Sequence, residues 1–382
     1  MNCANCGSPM RYDVAQYGLV CDHCGTVKPL PRPEEQRVVG EMDFASAVRG
    51  SNMNWGGARR LVSCKSCGAN LLYDPDQMSG LCPFCGSAVV LSAEDADLGI
   101  APNAVIPFSI PKEQVERRFY RWNKFAFWSP EKFRTGKVLG TLAPVYVPYW
   151  TFDADVVITY TGKFGYNTGS GDSERTNWYR KTGIVEHHVD DYRACASRRF
   201  AQDQLLNSVT DFSSRQLVDY TPDALTGMAA EVYTIGIDEA WNNAVTQGLK
   251  KDITRACQNH ESADYCSELQ FSTEYSNVTF RYVLVPVWLT GCKYGGKIYN
   301  VAASGHNGQG QCRRPFSVLK LVLFLLFIAA FFICAKILHM EALFLGLGFA
   351  AGITLIVIYM VMFFVALSTQ KSEEQSAPPP QQ

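Results

Sequence analysis

Val145-Tyr-Val-Pro-Tyr-Trp150 and Val283-Leu-Val-Pro-Val-Trp288 are two versions of one segment, Val-x-Val-Pro-x-Trp. Branched and aromatic residues at this density read as β-strands. Each is followed by a Tyr-x-Gly-Lys turn, at Tyr160 to Lys163 and at Tyr294 to Lys297. Upstream, a strand from Val105 to Phe108 leads into a helix from Pro111 to Ala126, with Val115, Phe119, Trp122 and Ala126 on one face. The same order returns as a strand from Val232 to Ile237 and a helix from Asp238 to Cys257, apolar at Trp241, Val245, Leu249 and Ile253. Residues 102–316 are therefore expected to form a duplicated, β-rich α+β domain of two half-domains whose sheets pack together. Pro148 and Pro286 cannot donate to a ladder, so each is expected to mark an edge or a bulge.

Working outward toward the N-terminus, eight of the 14 cysteines form two copies of Cys-x2-Cys-x14-Cys-x2-Cys: Cys3, Cys6, Cys21 and Cys24, then Cys64, Cys67, Cys82 and Cys85. Tyr12-Asp13 recurs as Tyr73-Asp74, Gln16 as Gln77, and a glycine follows each knuckle (Gly7, Gly25, Gly68, Gly86). Paired Cys-x-x-Cys turns deliver four thiolates as a tetrahedron, the pattern of structural zinc. Two zinc ions are expected, in ribbons at residues 1–28 and 61–92 joined by a linker with a short helix at 29–60. Iron is the rival metal, since Cys82-Pro-Phe-Cys85-Gly86 also suits a rubredoxin-type centre. Four thiolates saturate either ion and leave no position for an activated water. The proline-rich run after Lys28 is a stiff connector, so the ribbons are expected to be separate knobs.

Toward the C-terminus, residues 318–338 and 342–367 are almost wholly apolar, and each reaches the roughly 20 residues that span a bilayer. They are expected to form a two-helix transmembrane hairpin, with residues 368–382 as a disordered tail. Arg313, Arg314, Lys320 and Lys371 place the basic excess beside the termini, which predicts cytoplasmic termini at a plasma membrane. Metal-bound thiolates and a ribbon beginning at Met1 agree with a reducing compartment. The small-residue stripe Gly348-x-x-x-Gly352 suits close helix approach and leaves a homo-oligomer open.

Other motifs carry less. Gly291 to Lys297 matches most of a P-loop, but Ile298 stands where Ser or Thr binds magnesium, and the segment continues as a strand. His187-His188 with Asp190-Asp191 is compact, but neighbours in a strand point to opposite faces and cannot converge on one ion. Cys195, Cys257, Cys266, Cys292, Cys312 and Cys334 lack ligand spacing and read as small apolar residues. No catalytic constellation emerges, so an enzyme is not expected. The formal charge of −1 gives no field for a polyanion. Residues 1–91 balance eight basic against eight acidic side chains, which disfavours nucleic acid as a partner.

The two ribbons, Pro107 to Ile110, Val-Pro-Tyr-Trp with Phe152-Asp153-Ala154, Leu-Val-Pro-Val-Trp, and Asn307-Gly308-Gln309 leading to Arg314-Pro315-Phe316-Ser317 resemble a bacterial family of membrane-anchored TFIIB-type zinc-ribbon proteins. Members often carry a primosomal-helicase-like label, and some accompany phage-shock-type membrane-stress systems. No helicase motor is present to carry that label over. The resemblance implies a non-enzymatic membrane adaptor that recruits a cytoplasmic protein partner. A membrane-tethered nucleic-acid binder is the alternative, and a redox or metal sensor the third reading.

Overall fold

A stretch of strand that is apolar at every position must be covered on both faces, whereas alternation leaves one face wet. The strand carrying the first Val-x-Val-Pro-x-Trp segment does both in turn. It is buried at every residue from Val145 to Phe152, then alternates from Asp155 (exposed) and Val156 (buried) to Phe164. The computed structural model describes residues 1–32, 39–46, 55–56, 59–73, 79–90, 98–123, 128–131, 142–169, 175–201, 209–294, 297–312 and 315–337. In chain order the strands are β1 (Met10–Asp13), β2 (Gly18–Cys21), β3 (Val27–Pro29), β4 (Met42–Asp43), β5 (Arg60–Ser63), β6 (Asn70–Tyr73), β7 (Ser79–Leu81), β8 (Ala88–Val90), β9 (Ala104–Val105), β10 (Ala143–Thr168), β11 (Arg175–Cys195), β12 (Val218–Asp219), β13 (Ala229–Glu231), β14 (Tyr265–Tyr294), β15 (Lys297–Ser304) and β16 (Gly310–Cys312). The principal helices are α1 (Lys112–Asn123), α2 (Ile237–Asn243), α3 (Lys250–His260) and α4 (Val318–Ile337), and a π turn at Ala244–Gly248 leads from α2 toward α3. Met1–Arg121 with Gly136–Arg313 make one unit, and Trp122–Thr135 with Arg314–Gln382 another.

The expected pair of packed sheets is corrected to one. Eleven strands of the first unit form a single mixed sheet, built on β10 and β14 paired antiparallel along most of their length. The two Val-x-Val-Pro-x-Trp segments lie side by side in it, with Val147 opposite Val285. Around that pair the hydrogen bonds repeat. β13 runs parallel to β10 from Val145, and β9 runs parallel to β14 from Val283. Trp150 Nε1 donates to Ile235 O at 2.9 Å, and Trp288 Nε1 donates to Ile110 O at 2.8 Å. Pro148 O accepts from Ala196 N, as Pro286 O does from Gly305 N. A buried indole needs such a partner, so the two tryptophans hold the two halves in equivalent places.

Neither proline marks an edge or a bulge. Pro148 falls where the outer neighbour of β10 changes from β13, ending at Tyr146, to β11, beginning at Tyr149. Pro286 falls at the matching change on β14, from β9 to β15. The missing N–H lies in the gap between neighbours, where no ladder bond is lost.

The transmembrane hairpin is also corrected: among the described residues, no helix is long and apolar enough to cross a membrane. α4 stands where the first span was expected, but its first turns are engaged laterally. Lys320 Nζ donates to Ser129 O at 2.6 Å, and Phe324 meets the Trp128 ring edge-on at 5.4 Å between centroids. From Leu325 to Ile337 the helix rises about 20 Å. A hydrocarbon core is about 30 Å thick. The inner-membrane placement with cytoplasmic termini rested on that hairpin and is withdrawn with it. The second expected span, its glycine stripe and the C-terminal tail lie outside the described residues.

Candidate metal centres

Each Cys-x-x-Cys turn is closed by the same two backbone bonds. Cys3 N donates to Ser8 O (2.8 Å) and Gly7 N to Cys3 O (2.8 Å), and the pattern recurs at Cys21, Cys64 and Cys82. Closing the turn this tightly puts the residue after the second cysteine in the left-handed region, with φ of 73°, 73°, 71° and 70° at Gly7, Gly25, Gly68 and Gly86. Glycine is the residue without a steric penalty there, which explains its repetition in the sequence.

The four turns face one another in pairs. Sγ–Sγ separations are 3.5 Å for Cys3 and Cys24, 3.4 Å for Cys6 and Cys21, 3.7 Å for Cys64 and Cys85, and 3.6 Å for Cys67 and Cys82. Within each set of four, the sulfurs all lie within 4.8 Å of one another. A tetrahedral ion with metal–sulfur bonds of about 2.3 Å places its ligands about 3.8 Å apart, so both sets could hold a metal ion. Each set has cysteines shifted toward the thiolate, Cys3 and Cys24 in the first and Cys67 in the second. The Thr26 hydroxyl and amide bring Cys24 down to about 5. The Cys82 thiol, the Ala69 amide and the Arg199 charge bring Cys67 down to about 5 against its burial. A thiolate is the form that binds metal.

The two centres sit differently. In the first, Cys3 and Cys21 are buried but Cys6 and Cys24 are exposed. Its three-stranded sheet β1-β2-β3 stands apart from the large one. Tyr12 OH, donating to Phe108 O at 2.8 Å, and the Lys28–Asp223 ion pair anchor it. The second centre is built into the large sheet. β6 pairs with β13, and Cys64, Cys82 and Cys85 pack in the same core as Val145, Val147 and Val285. Among the described strands of this ribbon, the β7–β8 hairpin remains a sheet of its own. Neither ribbon is thus a free knob.

The seat of the second centre explains the P-loop look-alike. A Cβ on Gly291 would lie 2.3 Å from Phe84 O and 2.8 Å from Cys85 N, and one on Gly86 would lie 2.6 Å from Gly291 O. Gly291 is where β14 receives the knuckle's backbone. Downstream, Tyr294 pairs with Lys297 across a strand-to-strand connection, with no helix to meet a phosphate. Arg199 crowns the knuckle, 5.3 Å over the Phe84 ring, and donates to Cys67 O.

Of the remaining cysteines, Cys257 is buried and Cys195, Cys266 and Cys312 are half-buried. The side chains of Cys292 and Cys334 lie outside the described residues. The His-Asp run divides by strand alternation: His188 and Asp190 are exposed, whereas Asp191 turns to Arg281 (2.8 Å) and His187 lines a small cavity against α3. A residue outside the run, Asp153, joins His188 and Asp190 to make a third group of ligand type.

The chain is 25% identical over 324 residues to "Uncharacterized protein YdjG" of Bacillus subtilis (strain 168), a match covering 82% of this chain and 89% of that protein. No family model matches the chain. No solved structure matches it either.

Proposed function

We propose that the chain is a non-enzymatic, zinc-binding adaptor whose ribbons, of the TFIIB type, dock a protein partner. The reading is carried by ligand saturation: each centre offers four thiolates, which fill a tetrahedral ion, suit a structural role and leave no position for substrate. It is supported by the asymmetry of the two centres. One is committed to the large sheet, while the other presents Met1, Val27 and the knuckle residues Cys6 and Cys24 at the surface. A ribbon held by its base with an exposed tip is arranged to meet something else. The tetrahedral thiolate set suits zinc, which fills it without preference from d-electrons.

The test is elemental analysis together with cross-linking in the native cell. Two zinc ions per chain are expected, and a discrete protein partner that is lost when Cys6 and Cys24 are both replaced by serine. Recovery of nucleic acid in place of protein, or of a partner indifferent to that double substitution, would overturn the docking role.

A further inference from the structure

We propose that Asp153, His188 and Asp190 form a third metal site, for a divalent first-row cation held by oxygen and nitrogen and distinct in kind from the cysteine centres. The site is made by a fault in the sheet. Opposite Asp153 on β10, the partner strand β11 places two residues, Asp190 and Asp191, between the pairs Phe152–Tyr192 and Ala154–Val189. On the other side β14 does the same, fitting Asn277 and Val278 between Asp153–Thr279 and Asp155–Ser276. Each bulge contains a residue in the left-handed region, Asp191 and Asn277, both at φ 51°. Asp and Asn tolerate that conformation best after glycine. Two bulges at one level of one strand are a device for re-aiming side chains, and here the residues brought together are ligands.

The ligand atoms of Asp153, His188 and Asp190 lie within 4.8 Å of one another. Asp153 is 4% exposed, its Oδ1 accepts the Asp191 N–H at 2.8 Å, and its buried Oδ2 accepts no hydrogen bond. An unsatisfied buried carboxylate oxygen is costly unless a cation answers it. Arg281 Nη1 forms an ion pair with this oxygen at 3.5 Å but makes no hydrogen bond to it, its Nε donating to Val39 O and its terminal nitrogens to Asp191 and Glu41 at 2.8 and 2.7 Å. Those two carboxylates also offset its charge.

The surroundings of His188 match what a metal-bound imidazole requires. Its Nδ1 lies 2.7 Å from Asp155 Oδ1, and Asp155 Oδ2 accepts from Asn277 Nδ2 at 2.8 Å. A carboxylate on Nδ1–H fixes the tautomer and leaves Nε2 with the lone pair, the outer-shell arrangement of histidine ligands. Two carboxylates and one imidazole suit manganese, iron or zinc, with waters completing the sphere on the side where His188 and Asp190 are exposed.

Manganese is the probe, because a hard ion competes poorly for thiolates already holding zinc. Full-length, zinc-loaded protein is titrated with Mn2+ and the free ion is followed by electron paramagnetic resonance. One Mn2+ per chain is expected at micromolar concentration. Asp190→Asn or His188→Ala should weaken binding at least tenfold, and Asp155→Asn about tenfold, as expected for an outer-shell partner. These side chains are at the surface, so unchanged melting curves verify that the variants are folded. Glu274→Gln, an exposed carboxylate on the neighbouring strand, should bind like the parent. No stoichiometric binding up to millimolar Mn2+, or equal weakening by Glu274→Gln and Asp190→Asn, would overturn the site.

Discussion

Glu261 shows how much a single side chain can tie together. Lys181 Nζ lies 2.7 Å from its Oε2 and Tyr160 OH 2.6 Å from its Oε1, so one carboxylate joins the end of α3 to β10 and β11. The Lys181 ammonium and then the Tyr160 hydroxyl hold this carboxyl below its ordinary range. A depressed folded value means that the contribution to stability is present above the unfolded pKa and is lost as pH falls through the folded one. Glu261→Gln is therefore expected to cost about 1 kcal/mol at neutral pH, the low end for a charged hydrogen bond because Lys181 is part-exposed. The deficit relative to the parent should shrink as pH drops below about 4.5, as read by chemical denaturation at a series of pH values. A deficit that stays constant with pH would assign the effect to packing instead. At this scale the cysteines were legible because their spacing is local, with each knuckle contained in six residues. Asp153 was not. Its partners lie more than thirty positions away and meet it through a bulge, which no periodicity announces.

Among elements, the contact of β14 with the second knuckle is the tightest backbone approach at a metal centre. Gly291→Ala would drive Cβ into Phe84 O and Cys85 N, atoms that cannot rotate away. The expected cost is about 2–3 kcal/mol, in the range of overpacking a closed core. Zinc should be lost from the second centre to a chelating dye several times faster than in the parent, with the first centre unaffected. Gly40→Ala, whose Cβ would meet nothing within 4 Å, is the control and should behave as the parent. Element types were read well where a 3.6 period was strong: Val115 and Phe119 are buried on α1, and Leu249 and Ile253 on or beside α3. The helix expected from Asp238 to Cys257 is interrupted by the π turn. There Gly248 lets the Tyr192 hydroxyl come within 1.8 Å of where a Cβ would stand. Strand lengths escaped reading for a related reason. β10 and β14 run on through polar residues whose outward faces are simply wet, and their bulges break the alternation that would have joined the segments.

Over the whole first unit, the two metal centres differ in what they support. Removing metal from the first should free a peripheral three-stranded sheet, whereas removing it from the second takes β5 and β6 away from β13 and opens the core around Val145 and Val285. A strong chelator is thus expected to strip the chain in two steps. The first release should leave the main thermal transition nearly in place. The second should coincide with its loss or with a fall of more than about 10 °C, as a deficit of several kcal/mol implies for a unit of this size. Simultaneous release, or a second release without unfolding, would contradict this division. The duplication was legible from the paired Val-x-Val-Pro-x-Trp segments. The merging of both halves into one sheet was not, since edge-to-edge joining leaves the same pattern of buried residues as face-to-face packing. The C-terminal helix was expected as a span from its hydropathy, whereas no described helix is long and apolar enough to cross a membrane.

The two prolines at the changes of neighbour have a consequence for assembly. In strands as long as β10 and β14, a slip by one residue is forbidden because every side chain would change face, but a slip by two preserves the pattern. Hydrophobicity alone therefore cannot choose among several offsets. A two-residue slip that carried β11 past Tyr149 toward the start of β10 would bring Pro148 into its ladder with no hydrogen to give, and β15 carried past Val287 along β14 would meet the same refusal at Pro286. Each proline thus acts as an end stop on the growing sheet, refusing offsets in one direction that side-chain alternation alone would allow.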